Sequence, residues 1–291
     1  LEKALDWKPA AVLICNPSSM HVPTALTAAR AGCHLFIEKP LGTSMEGVSE
    51  LIAEVENRKL VALVGFSLRF HPGVIALAET ARSGAIGEVL YLRAHVGQYL
   101  PDWHPWEDYR KSGSSSKELG GGAIFDLIHE LDLVRWIGGS VSSVTCTRAN
   151  VSTLEIETED LAEIVLSFES GGVGSVHVDY LDRVYTRHCR IVGSEGTVVW
   201  DETEGVRLFE AAAGRWRTIP VPSFERNDIY LDEMRHWLAC LNGVDRPRVD
   251  IRDGAAVLAL ALAAHTAAES NRVIDVRSFS SGLRPEVKGA A

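Results

Sequence analysis

The sequence predicts two architectures in succession: a doubly wound parallel α/β sheet, then an α+β domain built on a large, open, mostly antiparallel sheet. Two observations carry this. Three apolar runs alternate with helical segments over the first third, and the pattern then changes to repeated strands separated by glycine and serine turns. The chain has 291 residues, 46% of them apolar, which is enough for two cores.

In order, AAVLIC (Ala10 to Cys15) is a continuous apolar run closed by Asn16-Pro17-Ser18-Ser19, as expected of a strand buried on both faces. HVPTALTAARAG follows, with Pro23 in its first turn and Gly32 at its end, the helix asymmetry of proline early and glycine late. A second run, CHLFIEKP, leads to a helix expected from about Ser44 to Asn57, and then to a third run, LVALVGF. Parallel strands with right-handed crossovers place Asn16-Pro17, Glu38-Lys39-Pro40 and Ser67-Leu68-Arg69 together at the carboxyl edge, where such sheets bind ligands. After a helix near Pro72 to Ser83, the segments GEVLYLRAHVGQY, VSSVTCTRANV, DLAEIVLSFESG, GVGSVHVDYL, HCRIVGSEGTVVWD, GVRLFEAA and RWRTIPVP read as strands. A long loop, PDWHPWEDYRKSGSSSKELGGG, enters the helical AIFDLIHELDLVRWI; two further helices and the short strand VIDV complete the pattern. The expected divisions are 1–85, 86–275 and a C-terminal tail, 276–291, frayed over SSGLRPEVKGAA.

The net charge of -10, without a Lys/Arg cluster, excludes the electrostatic footprint of a nucleic-acid binder. Five cysteines without CxxC spacing fit reduced thiols, and a cytoplasmic location is expected. The apolar stretch Ala255 to Ala268 is too short and alanine-rich for a membrane span, and no signal-peptide pattern opens the chain.

Three groups could carry chemistry. Lys39 ends a strand at the ligand edge, beside a proline that forces the preceding residue toward an extended conformation; it is either an ammonium held over a cleft or a solvated strand end. In GGGAIFDLIHELD, a continuous helix would put Asp126 one turn before His129, able to orient its imidazole for acid/base work, with Asp132 approaching from the other side. The alternative is an acidic helix start with a satisfied core histidine. HxxD could also ligate metal, but no second His/Cys cluster supports one, and no metal is expected. Finally, DWHPWEDYR (Asp102 to Arg110) could form a carbohydrate site or pin a long loop to the body.

CNPSSMH after a strand, EKP after the next, GFSLRFHP after the third, then GGGAIFDLIHELD and VGSEGT (Val192 to Thr197) resemble, in this order, the Gfo/Idh/MocA family of NAD(P)-dependent oxidoreductases. The resemblance runs from about Leu1 to Val276. It implies a Rossmann domain, NAD or NADP as cofactor, a sugar, cyclitol or related polyol as substrate, and a homo-oligomer formed through the open sheet. In its terms Lys39 hydrogen-bonds substrate and nicotinamide ribose, His129 is the acid/base and Asp126 its partner. Asn16, Pro17, His21, Glu38 and Pro40 match cofactor-lining positions, and Arg69 one near nicotinamide and substrate. Trp103, Asp108, Tyr109 and Arg110 lie on the loop covering the substrate, matched in location rather than role.

The sequence departs from the family pattern twice. Its DLIH spacing is shorter than the common DxGxH and leaves the proton to either Asp126 or His129. The family's first strand and GxGxxG turn have no counterpart, AAVLIC matching its fourth strand, so this polypeptide by itself is expected to bind NAD(P) weakly unless another chain supplies those strands. A non-catalytic oligomerisation module and a sugar-binding module are the readings from other classes.

Overall fold

The computed structural model describes residues 1–279. After a short helix α1 (Glu2–Leu5), the strands β1 (Ala11–Ile14), β2 (His34–Glu38) and β3 (Ala62–Gly65) pair in parallel in the order β1-β2-β3. Their crossovers are α2 (His21–Arg30) and α3 (Val48–Asn57). Alternation along β2 sends Leu35 and Ile37 to the core shared with these helices and Phe36 to the opposite face. Helix α3 begins at Val48 rather than Ser44, because Gly47 before it takes a left-handed φ of 74°.

Helix α4 (Pro72–Arg82) leads into the second sheet. The strands are β4 (Val89–Gly97), β5 (Val141–Ala149), β6 (Leu161–Phe168), β7 (Val173–Asp179), β8 (Thr186–Gly193), β9 (Gly196–Asp201), β10 (Gly205–Glu210) and β11 (Arg215–Ile219), with β12 (Ile274–Asp275) at one edge. Their order is β11-β10-β9-β8-β4-β7-β6-β5-β12, antiparallel except for the central pair β4 and β7. Leu92, Ala94 and Val96, Ile164 and Leu166, Val176 and Val178, Cys189 and Ile191 form a dry inner face. Helices α5 (Ala123–Asp126) and α6 (His129–Gly138) lie on that face, and the outer face is half-exposed and polar.

Two late helices cross the expected division at residue 86. In α7 (Asp228–Leu241), Trp237 meets Phe36 edge-on at 5.6 Å and covers the second face of the parallel sheet. Helix α8 (Ile251–Ser270) runs between that sheet and β5, so closely that a Cβ on Gly254 would lie 2.6 Å from Val64. It is long and apolar enough to cross a membrane by length and composition, and its apolarity is accounted for by burial, since 61% of that stretch is enclosed by the fold. The expected tail is structured at its start, where Val276–Ser278 forms a 3-10 turn with Val276 buried; SSGLRPEVKGAA lies outside the described residues.

AIFDLIHELDLVRWI is not one helix. The chain breaks at Leu127 (φ -99°, ψ 28°), so Asp126 ends α5 and His129 starts α6. Two buried ion pairs hold the first turn of α6. Arg69 donates to both oxygens of Asp132 at 2.6 and 2.9 Å, and Arg187 of β8 donates to both oxygens of Glu130 at 2.7 and 2.9 Å. Residues two apart on a helix are separated by about 200° around its axis, so the pairs pull on opposite sides. Arg69 also reaches the Arg248 carbonyl (3.1 Å), tying the end of β3 to the approach to α8. Arg69→Met would leave Asp132 as a buried uncompensated charge, and urea unfolding is expected to show a loss of about 3–5 kcal/mol. A loss below about 1 kcal/mol would show that the pair does not hold this turn.

Candidate active site

The site is assembled at the carboxyl edge of the parallel sheet. Lys39 follows β2, and its peptide to Pro40 is cis. The Lys39 ammonium donates to the Asp126 carbonyl at 2.5 Å, linking β2 to the end of α5. The ends of β1 and β2 are joined by His21, buried with its ring nitrogens 2.7 Å from the Pro40 carbonyl and 2.8 Å from that of Asn16. His21 is therefore a tie between strand ends. Asn16 donates to Thr24 at 3.0 Å, while its Oδ1 is buried and makes no hydrogen bond among the described residues. An orphan acceptor at the same sheet edge as an ammonium fits a hydroxyl- or amide-bearing ligand, so Asn16 and Lys39 could hold the ribose or carboxamide of a dinucleotide. Glu38 turns toward α7; burial raises its pKa, and burial together with the Glu38 charge pushes Glu233 up to about 8.

Asp126 and His129 are not the hydrogen-bonded pair that a continuous helix would give, because the helix breaks between them. Asp126 Oδ2 instead accepts from the buried Tyr180 hydroxyl at 2.7 Å. Asp132 is likewise taken by Arg69 rather than His129. His129 packs edge-on to Phe66 at 5.7 Å, and its Nδ1 is sealed from solvent without a hydrogen-bond partner among the described residues. Desolvation, the Arg187 guanidinium and the Lys39 ammonium, in that order, hold its pKa well below the ordinary value. The partial positive charge of the α6 N-terminus opposes protonation in the same sense.

The glycine run is required by space. Gly120 takes φ 88°, and a Cβ there would sit 2.4 Å from Thr43 Cγ2; Gly122 takes φ 112°, and its Cβ would sit 2.5 Å from Glu159 Oε1. Glu159 in turn accepts from the Ile124 amide at 3.1 Å and so fixes the start of α5.

Of the loop residues, Trp103 alone is placed against this cluster, edge-on to Tyr180 at 5.3 Å. Arg110 is exposed and engaged by Asp108 (2.8 Å) and Glu155 (3.1 Å), and Tyr109 accepts from the Glu155 amide at 3.4 Å. These three pin the loop to the segment before β6. Arg69 is spent on Asp132 and the Arg248 carbonyl, which makes it a structural tie. A cavity of ≈ 600 Å³ lies behind the glycine run, lined by Thr43, Phe125, Arg148, Glu159 and His265 among others; Lys39, Asp126 and His129 do not line it.

Tyr180 was missed by sequence reasoning, although Val176, Val178 and Tyr180 continue one inward alternation and a buried tyrosine hydroxyl needs a partner. Glu130 and Arg187 carried no local signal.

A parallel α/β sheet with a lysine at its carboxyl edge, facing a histidine-bearing helix of an open-sheet domain, defines a dinucleotide-dependent oxidoreductase architecture. Comparison with known proteins agrees. Residues 1–66 match the model of the oxidoreductase family with an NAD-binding Rossmann fold, and residues 74–199 that of the GFO/IDH/MocA C-terminal domain. The chain belongs to the Gfo/Idh/MocA oxidoreductase family, and its cofactor is a nicotinamide dinucleotide. It is 28% identical over 275 residues to the myo-inositol 2-dehydrogenase of Thermotoga maritima (91% of this chain, 79% of that protein). It is 26% identical over 274 residues to the inositol 2-dehydrogenase of Rhizobium meliloti (91% and 80%). Its fold matches a levoglucosan dehydrogenase in complex with NADH and L-sorbose, with a TM-score of 0.83, 23% identity and coverage of 94% and 82%.

Tyr180→Phe keeps the ring against Trp103 and removes only the hydroxyl, so Asp126 loses a charge-assisted bond worth about 1.5–3 kcal/mol. The expected result is a fall in kcat/KM of roughly ten- to a hundredfold with folding retained. Unchanged kinetics would separate Tyr180 from the site.

Proposed function

We propose that this protein transfers hydride between a carbinol carbon of a sugar, cyclitol or related polyol and NAD(P), with Lys39 and His129 as its catalytic residues. One observation carries the assignment of residues: Lys39 is tied through the Asp126 carbonyl to the segment that leads into His129, and after burial and Arg187 its ammonium is among the causes that hold the His129 pKa down. The polyol class is supported by the inositol and levoglucosan dehydrogenases among the relatives.

The bound dinucleotide supplies the hydride acceptor or donor. Lys39 uses one of its three donors on the Asp126 carbonyl and has the others for the substrate hydroxyl, where its charge stabilises the developing alkoxide. His129 takes the hydroxyl proton. A pKa held well below the ordinary 6.5 leaves the imidazole neutral at pH 7, so that one of its ring nitrogens can act as a proton acceptor. Asp126, its carboxylate held by Tyr180, presents its carbonyl to Lys39 in this scheme. A homo-oligomer belongs to the same reading, supported by Val165 and Val173, exposed on the outer face of the open sheet.

Lys39→Ala is expected to lower kcat by on the order of 10²–10³, measured as NAD(P)H absorbance over a panel of polyols, with thermal unfolding unchanged. His129→Gln is expected to cost about 10²–10⁴. In the parent enzyme, the acidic limb of kcat/KM should lie below pH 6.5, because the base is lost only once it protonates at its lowered pKa. Full turnover in Lys39→Ala, or an acidic limb at or above 6.5, would refute the assignment.

A further inference from the structure

A second cluster occupies the outer face of the large sheet. Glu163 of β6, His177 of β7, His95 of β4, His188 of β8 and Asp201 of β9 stand at one register across five neighbouring strands. The three imidazoles stack, His177 on His95 at 4.5 Å and 7° and His95 on His188 at 4.7 Å and 12°. Two carboxylates from the exit of β7 close on the first pair. Asp179 Oδ2 lies 2.7 Å from His177 Nε2, and Asp182 Oδ2 lies 3.5 Å from His95 Nε2. His95 Nε2 is sealed from solvent and makes no hydrogen bond among the described residues.

The site is also built from below. Gly97 lies opposite Asp179 in the pairing of β4 with β7, and a Cβ on it would sit 2.5 Å from both Asp179 Oδ2 and Asp182 Oδ2. Any other residue would fill the space into which those oxygens converge. The ligand atoms of His95, His177 and Asp179 all lie within 4.8 Å of one another.

We propose that His95 Nε2, His177 Nε2, Asp179 Oδ2 and Asp182 Oδ2 form a structural site for a divalent transition metal, with Zn²⁺ the best match. Two imidazoles and two carboxylates suit a borderline-soft tetrahedral ion better than Mg²⁺ or Ca²⁺, which prefer all-oxygen shells of higher coordination. Bond lengths near 2.1 Å put tetrahedral ligand atoms roughly 3.3 Å apart. The His95 to Asp182 separation already fits, and the His177 to Asp179 pair opens by less than about 1 Å as the metal replaces the shared proton, which leaves to solvent. Outer hydrogen bonds are in place: Glu163 Oε1 lies 2.6 Å from His177 Nδ1, and Asp179 Oδ1 accepts from the Leu181 and Asp182 amides at 2.6 and 2.8 Å.

The ion would brace the turn after β7 from the face opposite the active site. Asp179 and Tyr180 are adjacent, and their side chains leave opposite faces of the sheet, one toward this cluster and the other toward Asp126. The ligands come from positions 95, 177, 179 and 182, so only sheet pairing gathers them, and a search for short metal-ligand spacings passes over them.

The test is calorimetric titration of chelator-stripped protein with ZnCl₂, repeated with CoCl₂ and read by visible absorption. A single Zn²⁺ per chain and the d–d bands of tetrahedral Co²⁺ are expected. Asp182→Asn, on a partly exposed side chain that the core does not need, should weaken binding at least tenfold, and His95→Gln similarly. Glu163→Gln should weaken it about 10–100-fold through the outer hydrogen bond, and His188→Gln, which removes a stacked ring but no ligand, should leave it nearly unchanged. Absence of stoichiometric binding overturns the proposal. So does Zn²⁺ affinity unaltered in both Asp182→Asn and His95→Gln, which would place the metal on free thiols such as the exposed Cys15.

Discussion

The first turn of α6 is the constraint on which the rest of the site depends. It is held between the two domains by opposed, buried, bidentate ion pairs: Glu130 with Arg187 of the open sheet, and Asp132 with Arg69 at the end of β3. Charges at this depth are tolerated because each carboxylate has both oxygens on a guanidinium fork, which offsets the desolvation that would otherwise expel them. With both neighbours committed to structure, His129 is the residue of that turn left to face Lys39 and Phe66. Its neutral form follows first from burial, and then from Arg187, Lys39 and the helix terminus, which all oppose a further positive charge.

The opposite wall is set by β7. Alternation along the strand sends Tyr180 to Asp126 and Asp179 to the histidine row, so one strand end positions a carboxylate of the proposed active site and a candidate metal ligand on the two faces of the same sheet. Trp103 rests on the Tyr180 ring, and the loop over the site is thereby attached to the same point. The loop's charged residues, Asp108 and Arg110, fasten it to the segment near Glu155 rather than reaching into the cluster.

What could be read from the sequence was local. LVALVGF gave its strand because burial on both faces leaves a continuous apolar signature, whereas AAVLIC gave the edge strand β1, in which only Ile14 is buried and Leu13 is half-exposed; Lys39 stood out by its place at a strand end beside proline. The break at Leu127 was hidden, since DLIHELD reads as an unbroken helix by spacing and propensity, and tertiary ties override both. Asp132 looked like a partner for His129 three positions away; its actual partner, Arg69, lies 63 positions away, a separation that no periodicity encodes. The return of α7 and α8 to cover the parallel sheet, and the gathering of His95, His177 and His188, are likewise products of topology.

The central claim is that this clamp keeps a neutral imidazole at the active site. The most direct measurement is a nitrogen-15 NMR titration of the His129 ring in the intact protein, assigned by comparison with His129→Gln. The ring is expected to stay neutral as the pH is lowered through the ordinary 6.5. Protonation of His129 with a midpoint at or above 6.5 would contradict the account.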